Sequence, residues 1–369
     1  MQQIARISIQ GFRSIKDATI VLRPLNVMIG ANGAGKSNLI DFFRMMNYAL
    51  TRGFQDPYLR ERGPASAILH FGPKMTGVIR GEVSFLTEVG TNTYRFTLAD
   101  SAGDRLTFTK EEVQFCRRDS DQPGPIVPLI QHPSDNSGLC ELWSENDATA
   151  RFAKNFLSRC RVYQFHDTSV TSHLRDYTPT DQGRYFYADG GNLSAVLLSL
   201  KEESPEDYQS IVRSLQSVLP WFEDFVLEPE GRKGVLLRWR MVGRGDYIFG
   251  PSQLSDGSLR IMALATLLSL PPNRLPNMMI LDEPELGLHP AAEQVIAGLI
   301  KNASMTAQIL ISTQSASFID HFSADDVIVV EHENGMSTFE PQSQEGLRNW
   351  LERYTLSQIW SKNIIGGRP

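Results

Sequence analysis

Apolar and polar residues alternate through IARISIQGF (4–12) and again through ATIVL (18–22), then apolar positions crowd together in PLNVMIG (24–30). Alternation at a two-residue period predicts a strand in each of the first two, and the crowded apolar positions predict a third that enters a glycine-rich turn. Beyond it Leu39, Ile40, Phe43, Met46 and Leu50 recur at helical spacing across KSNLIDFFRMMNYAL (36–50), which predicts a helix packed on the sheet, with Asn47 a polar break in that face.

Between 51 and 82 helical periodicity is absent, and RERGP and HFGPK predict exposed turns. Val78, Val83, Phe85, Tyr94, Phe96, Leu98, Leu106 and Phe108 then recur at largely two-residue spacing, so 77–115 reads as a small antiparallel meander. Residues 119–148 are rich in turn formers and read as a mobile insertion. TARFAKNFLSRCRVYQF (149–165) reads as a helix and a short strand, and 191–222 as two helices separated near Ser204-Pro205, where proline starts the second at low cost. Strands are predicted around FEDFVLEP and GVLLRWRMV. SQLSDGSLRIMALATLLSL (252–270) follows as a cap-like segment and an apolar helix. NMMILDEPELGLHPAAEQVIAGLI (277–300) is strand, acidic turn and helix, and AQILISTQSASFIDHF and DDVIVV repeat the strand-rich α/β pattern. No heptad run is sustained and no tandem repeat is evident, so no long coiled-coil arm is expected.

Composition narrows the class without naming a chemistry. With 41% hydrophobic and 21% charged residues the chain is globular, and 369 residues suit two or three average domains or one large α/β unit with an insertion. The net charge of −6 conceals a division: residues 1–80 hold eleven basic and four acidic residues, a net +7, whereas 81–369 hold 25 and 38, a net −13. A uniformly basic nucleic-acid coat is excluded, but a local patch is not. Three cysteines without a CxxC pair suit a reducing compartment. Neither a signal-peptide core nor a run of 18 apolar residues is present, so no membrane span is expected.

The strongest local signal is Gly30-Ala31-Asn32-Gly33-Ala34-Gly35-Lys36-Ser37, which fits GxxxxGKS where a predicted strand passes into a helix. Glycines let the backbone curl so that N–H groups point at phosphate oxygens, Lys36 can neutralise β and γ phosphates, and Ser37 can ligate magnesium. A second signal is the apolar strand that ends in Asp282-Glu283-Pro284. Both carboxylates then emerge at the carboxyl end of a buried strand: Asp282 can organise magnesium through water, and Glu283 can orient or deprotonate an attacking water.

In their order and spacing, GFRS (11–14), GANGAGKSN (30–38), SQLSDGSLR (252–260), LDEPELGLHP (281–290) and ISTQS (311–315) resemble the ATP-binding-cassette superfamily. The resemblance is to its stand-alone AAA-type ATPases, similar to RecF and to the heads of structural-maintenance-of-chromosomes proteins, and it covers most of the chain. It implies a two-lobed α/β head with a mixed central sheet and an antiparallel subdomain, with ATP and Mg2+ as ligands. It assigns nucleotide contacts to Asn32, Gly33, Gly35, Lys36, Ser37 and Asn38. It also implies that Ser255, Asp256 and Gly257 of one copy reach the γ phosphate held by another across a head-to-head dimer. On composition alone SQLSDGSLR is an ordinary N-cap and helix. The resemblance gives its short hydroxyl, its permissive glycine and the positive end of its helix an anion to meet.

Where the family usually carries a histidine, in a segment resembling ISTHS, this chain has Gln314. Glutamine donates and accepts hydrogen bonds but cannot become a charged acid near neutral pH, so slow turnover or control through dimer geometry is expected. The family's interlobe glutamine, which contributes to magnesium, is matched to Gln164, with Gln114 the alternative. Arg13 and Lys16 follow the opening strand, where the resemblance places a basic residue near nucleotide phosphates. His166, Asp167, His173 and Asp176 have no specific ligand spacing and read as a solvated or packing loop before a metal-nuclease cluster. Arg52, Arg60, Arg62, Lys74 and Arg80 extend the positive segment, either as DNA phosphate contacts or as solvated charges. Trp221 and Trp239 read as packing residues.

On this reading residues 1–369 form one ATPase head. Residues 1–50 carry the phosphate-loop segment, 51–251 the antiparallel strands and a helical-lobe insertion, 252–345 the LSxG element, acidic motif and final core strands, and 346–369 a C-terminal extension. The expected activity is Mg-dependent ATP hydrolysis by a nucleotide-dependent homodimer in the cytoplasm, away from membranes. It is expected to act with double-stranded DNA or a separate effector or nuclease subunit in DNA repair or antiviral defence. The alternative is an ATP-bound oligomerisation module with little turnover and no direct DNA role.

Overall fold

The computed structural model describes residues 2–51, 53, 55–120, 122–141 and 146–368. Arg52, expected on the basic segment, lies outside the described residues. Among those described, two six-stranded sheets and one three-stranded sheet organise the chain.

The first sheet is antiparallel and holds β1 (Gln3–Phe12), β2 (Ile15–Val21), β4 (Val78–Leu86), β5 (Gly90–Ser101), β6 (Arg105–Arg117) and β7 (Ile126–Pro128), in the order β2-β1-β4-β5-β6-β7. The central sheet is mixed. It runs β15-β14-β3-β13-β12-β8, where β3 is Leu25–Ile29, β8 Cys160–Tyr163, β12 Met278–Asp282, β13 Gln308–Ser312, β14 Val327–Glu333 and β15 Met336–Pro341. All five residues of β3 are buried, as in a strand covered on both faces, including Asn26, whose side chain donates to Arg23 O and Ile309 O. Strand alternation divides the core: Val27, Ile29, Leu281 and Ile311 face one hydrophobic cluster, Met28, Ile280 and Leu310 the other.

The helix α1 (Lys36–Ala49) buries Leu39, Ile40, Phe42, Phe43, Met45 and Met46 between the two large sheets, in company with α4 (Ala148–Leu157). The opposite face of the central sheet carries α5 (Leu193–Glu203), α6 (Pro205–Val218), α7 (Asp256–Leu268) and α8 (Pro290–Ser304). The small sheet, β9 (Phe222–Val226), β10 (Arg238–Met241) and β11 (Ile248–Phe249), packs on the same side, and Trp239 is buried there against Trp221 and Phe249. No helix among the described residues exceeds 15 residues, and none is long and apolar enough to cross a membrane.

Three segments depart from the periodicity reading. α2 (Gln55–Arg62) and α3 (Ala65–Ile68) form where only turns were expected. α2 has no apolar stripe because tertiary hydrogen bonds hold it: Gln55 brackets the backbone N–H and C=O of Leu106, and Tyr58 Oη donates to Asp41. Of the 119–148 segment, residues 121 and 142–145 lie outside the described residues, and the described part is anchored where β7 pairs with β6 and where Ser137 and Gly138 donate to the buried Glu111 carboxylate. β15 has an unremarkable polar sequence, yet it pairs along β14 and Ser337 N donates to Ser14 O. After the short α9 (Ala316–Ile319), the C-terminal stretch folds back as α10 (Gln344–Leu351) and α11 (Leu356–Ser361), burying Trp360, whose Nε1 donates to Gly367 O at 2.6 Å.

Gln308 joins the two large sheets. Its fully buried amide receives Ile4 N at 2.9 Å and donates to Ile4 O at 2.8 Å and Arg23 O at 2.9 Å. Gln308→Leu removes the side-chain partner of the buried Ile4 N–H and C=O, while Arg23 O keeps Asn26 Nδ2 at 2.7 Å, and at about 1 kcal/mol or more for each of the two the expected loss is about 2 kcal/mol. Urea denaturation of the two proteins measures it; an unchanged midpoint would refute the clasp.

Candidate nucleotide site

The parallel register brings the site together. Ser312 on β13 pairs with Asp282 on β12 and with Met28 on β3, so the acidic turn and the glycine-rich loop leave the sheet at the same carboxyl edge. Ligands bind at this edge in α/β sheets because neighbouring loops diverge there and helix N-termini converge on it.

Gly35 precedes α1 at φ +114, and an added Cβ would collide with the Ser337 hydroxyl, so only glycine fits. The loop is pinned from behind by a chain of hydroxyls. Asn38 Nδ2 donates to Ser14 Oγ, Ser14 and Ser337 share a 2.6 Å hydrogen bond, and Ser337 Oγ donates to Ala34 O at 2.6 Å. Gly33 and Asn32 are exposed at the loop's crest, and Ser37 is exposed in the first turn of α1. Lys36 is buried, its Nζ donating to Gly30 O at 2.6 Å and Ala31 O at 3.1 Å. Burial pulls the Lys36 ammonium below the ordinary lysine range, opposed by the carboxylates of Glu283, Asp282 and Glu285. A buried cation satisfied only by its own loop's carbonyls, beneath open space at Gly33, fits a phosphate chain.

Asp282 ends β12. Its Oδ2 accepts from Gln164 Nε2 at 2.6 Å, and its backbone O meets His166 Nε2 at 3.0 Å. Glu283 follows at φ +47, costly for a residue with a Cβ, and is held by Glu283 N donating to Ser312 O at 2.8 Å. Its Oε1 accepts from the Gln314 amide. Glu285 lies beneath; Thr313 donates to it, and burial pushes its carboxyl up. The donor set of Ser37 hydroxyl, Asp282 carboxylate and Gln164 amide suits a hard, oxygen-seeking divalent cation.

Ser255 caps α7, its Oγ accepting from Ser258 N at 3.2 Å, and is exposed with Asp256. Among the described residues no hydrogen bond or ion pair joins the Ser255, Asp256 and Gly257 turn to the phosphate loop. Arg13 is placed elsewhere: Nε meets Asp41 Oδ2 at 2.6 Å and Nη2 donates to Arg62 O at 3.1 Å. Arg62 also serves Asp41 and Glu61, which removes it from the exposed set containing Arg60, Lys74 and Arg80. Gln114 sits on the antiparallel sheet, donating to Gly124 O. His173 pairs with Asp189 at 2.9 Å, Asp167 accepts from Ser169, and no three His, Cys, Asp or Glu side chains gather as a metal-binding group among the described residues.

Two arginines escaped the sequence reading. Arg260, only 8% exposed, donates Nε to Phe165 O at 2.9 Å and Nη1 to Leu286 O. Arg175 donates to Thr168 O at 3.0 Å and pairs with Asp256 at 3.0 Å. Each ties the Ser255 turn to the segment after Gln164. An arginine within SLRIMALATLL was the available signal for Arg260, since a charge on an otherwise buried helix demands partners.

A family model described as the RecF/RecN/SMC N terminal domain matches residues 3–338. The Old nuclease of Escherichia phage P2 is 21% identical over 378 residues, covering 90% of this chain and 60% of that protein. The energy-coupling factor transporter ATP-binding protein EcfA2 of Lactobacillus delbrueckii subsp. bulgaricus is 30% identical over 135 residues, covering 36% of this chain and 45% of its own. The chain therefore spans 60% or less of the length of these curated relatives. Among solved structures, an Smc head bound to the C-winged helix domain of ScpA superposes at TM-score 0.58 with 15% identity, covering 94% of this chain and 99% of that one. An Smc head with an extended coiled coil, bound to the C-terminal domain of ScpA derived from Pyrococcus furiosus, gives 0.57 and 15%, covering 95% and 99%. The fold is that of an Smc head without the arm in the described residues.

Proposed function

The chain belongs to the RecF/RecN/SMC N-terminal-domain family, an ATPase family, and from that premise we propose that it is a Mg-dependent ATP-hydrolysing switch whose two copies close head to head on nucleotide. The observation that carries the reading is the convergence at one sheet edge of buried Lys36, the Gln164–Asp282 hydrogen bond and the Gln314–Glu283 hydrogen bond.

Lys36 exchanges its carbonyl partners for β and γ phosphate oxygens, and the amides between Gly33 and Ser37 supply the remaining donors. Ser37, Asp282 and Gln164 would hold magnesium, which when bound offsets charge on the β and γ phosphates. Glu283 orients the attacking water and takes its proton, while Gln314 fixes the carboxylate's direction. Ser255 and Asp256, exposed at the start of α7, and half-buried Gly257 close the site from the second copy, where the helix N-terminus adds positive potential. Mass measured by light scattering with Mg-ATP, beside phosphate release, tests this directly. Doubled mass with repeated turnover is expected; a monomer at saturating ATP contradicts it.

Lys36→Ala is expected to weaken ATP binding about 100-fold, the equivalent of about 3 kcal/mol for a charge-assisted contact. Titration with a fluorescent ATP analogue measures it, and an affinity within threefold of the parent would move the nucleotide elsewhere.

A second reading is favoured by Gln314 itself: an amide already bound to Glu283 cannot take up a proton, so the dimer would persist with little turnover. Doubled mass without phosphate release would select it. Exposed Arg60, Lys74 and Arg80 supply a double-stranded DNA face, and the relative named as a nuclease supports a separate effector or nuclease partner in repair or antiviral defence. Absence of binding to long duplex at low salt would remove the DNA part.

A further inference from the structure

β8 is the outermost strand of the central sheet, and a cavity opens on each side of it. The first, about 520 Å³, lies against α1 and α2 and takes in Arg44, Tyr48 and Arg161. The second, about 580 Å³, is walled by Arg159, Arg161, Tyr185 and Tyr187. Arg161 and Ala188 line both, so the two form one groove that wraps the sheet edge.

Its charge is one-sided. Arg44 and Arg161 have neither hydrogen-bond nor ion-pair partners among the described residues, and Arg159 has only the carbonyl of Leu275. The carboxylates nearby are already engaged: Glu61 accepts from Tyr48 and Arg62, Asp189 from His173 and Gly191 N. Burial holds Arg44 below the ordinary arginine range and Arg62 adds to the effect, while the carboxylates of Asp41, Asp282 and Glu61 oppose it. In a chain of net charge −6 this unpaired positive edge is a local exception.

Its aromatic rings face outward. Segment 184–188 is tied to the end of β8 by Gln164 N donating to Ala188 O at 3.0 Å, and residues alternate along it: Phe186 is buried, while Tyr185 and Tyr187 stand 55% and 43% exposed. The Arg184 guanidinium lies 5.3 Å over the Tyr185 ring. Exposed tyrosines interleaved with unpaired arginines are what an unpaired base-and-phosphate chain requires, since bases stack on rings while phosphates follow the guanidiniums. A duplex keeps its bases inside and presents a rigid rod, which leaves the rings unused.

We propose that the groove around β8, from Arg44 through Arg161 to Tyr185 and Tyr187, binds single-stranded nucleic acid. This site is separate from the phosphate loop and needs no ATP; it meets the nucleotide site through Gln164, which lines the first cavity and holds Asp282, and through Arg44, which feels the Asp282 carboxylate.

Fluorescence anisotropy without ATP tests it, using labelled dT20, rU20 and a 20-base-pair duplex from 50 to 200 mM salt. Either single strand should bind at least tenfold more tightly than the duplex, and the tighter of the two identifies DNA or RNA as the source. Tyr187→Ala and Tyr185→Ala should each cost about tenfold for the loss of one stacked base. Arg161→Ala should lower the slope of log affinity against log salt by about 0.7, the value of one phosphate contact on a single strand. All three side chains are exposed at the surface, and circular dichroism melting confirms that the variants fold. Equal or tighter duplex binding, affinities unmoved by the three variants, or displacement by dTMP at the concentration effective for dT20 would each overturn the proposal.

Discussion

Glu283→Gln is expected to hold ATP with an affinity within about twofold of the parent, release phosphate at least about 100-fold more slowly, and accumulate as a species of doubled mass. The substitution is nearly isosteric. The backbone hydrogen bond from residue 283 to Ser312 O is untouched, so the strained turn at φ +47 keeps its shape. Lys36 and the glycine-rich loop, to which the proposal assigns nucleotide affinity, remain as they are. What is lost is an acceptor for the water's proton, and positioned general bases contribute about 10²–10⁴ in rate. Affinity and rate therefore separate, and the dimer outlives its normal turnover. Phosphate release at the parent rate would move the base to another residue, and a persistent monomer under excess ATP would remove the shared site.

Gln314→Ala tests the role of the neighbouring amide. If Gln314 only aims the Glu283 carboxylate, turnover falls about tenfold while the pH profile keeps its shape, because no ionisable group is removed.

The parts of the site legible in the sequence are those written in consecutive residues. The phosphate loop needs only its local turn and the helix that follows, so Gly30 to Asn38 announce themselves, and the strand before Asp282 fixes that carboxylate's exit. Gln164 lies 118 residues from Asp282, and no periodicity relates them; the family pattern pointed to it, and the register of β8 beside β12 supplies the physical contact. Where backbone pairing or side-chain hydrogen bonds replace an apolar stripe, pattern reading has nothing to detect. That is the case for α2, held through Gln55 and Tyr58, and for β15, which is defined by its partner β14. Arg13 has a partner that the sequence pattern did not show: its place after the opening strand suggested phosphate, and here its guanidinium meets buried Asp41 on α1.

Arg260→Lys is expected to leave ATP binding by the single chain intact while reducing dimer formation and turnover at least about 50-fold. The guanidinium reaches three carbonyls at once: Phe165 O and Leu286 O directly, and His166 O at 3.4 Å. Phe165 and His166 adjoin Gln164, whose amide holds Asp282, and Leu286 stands three residues beyond Glu283. Arg260 itself sits on α7, five residues after Ser255. A single planar fork thus fixes the Ser255 turn, proposed to meet a second copy, to the Gln164 segment and to the acidic turn of its own site. Lysine keeps the charge but offers a point donor that cannot span them, which frees α7 to shift against the acidic turn. The cost in stability should be about 3 kcal/mol, as two to three charge-assisted hydrogen bonds are weakened at a buried position. Nucleotide titration, light scattering and urea denaturation on the same preparation separate the effects. A lowered denaturation midpoint with normal dimerisation and turnover would reduce Arg260 to a packing residue. Retained ATP affinity with lost dimerisation would show that nucleotide occupancy reaches the second copy through this guanidinium.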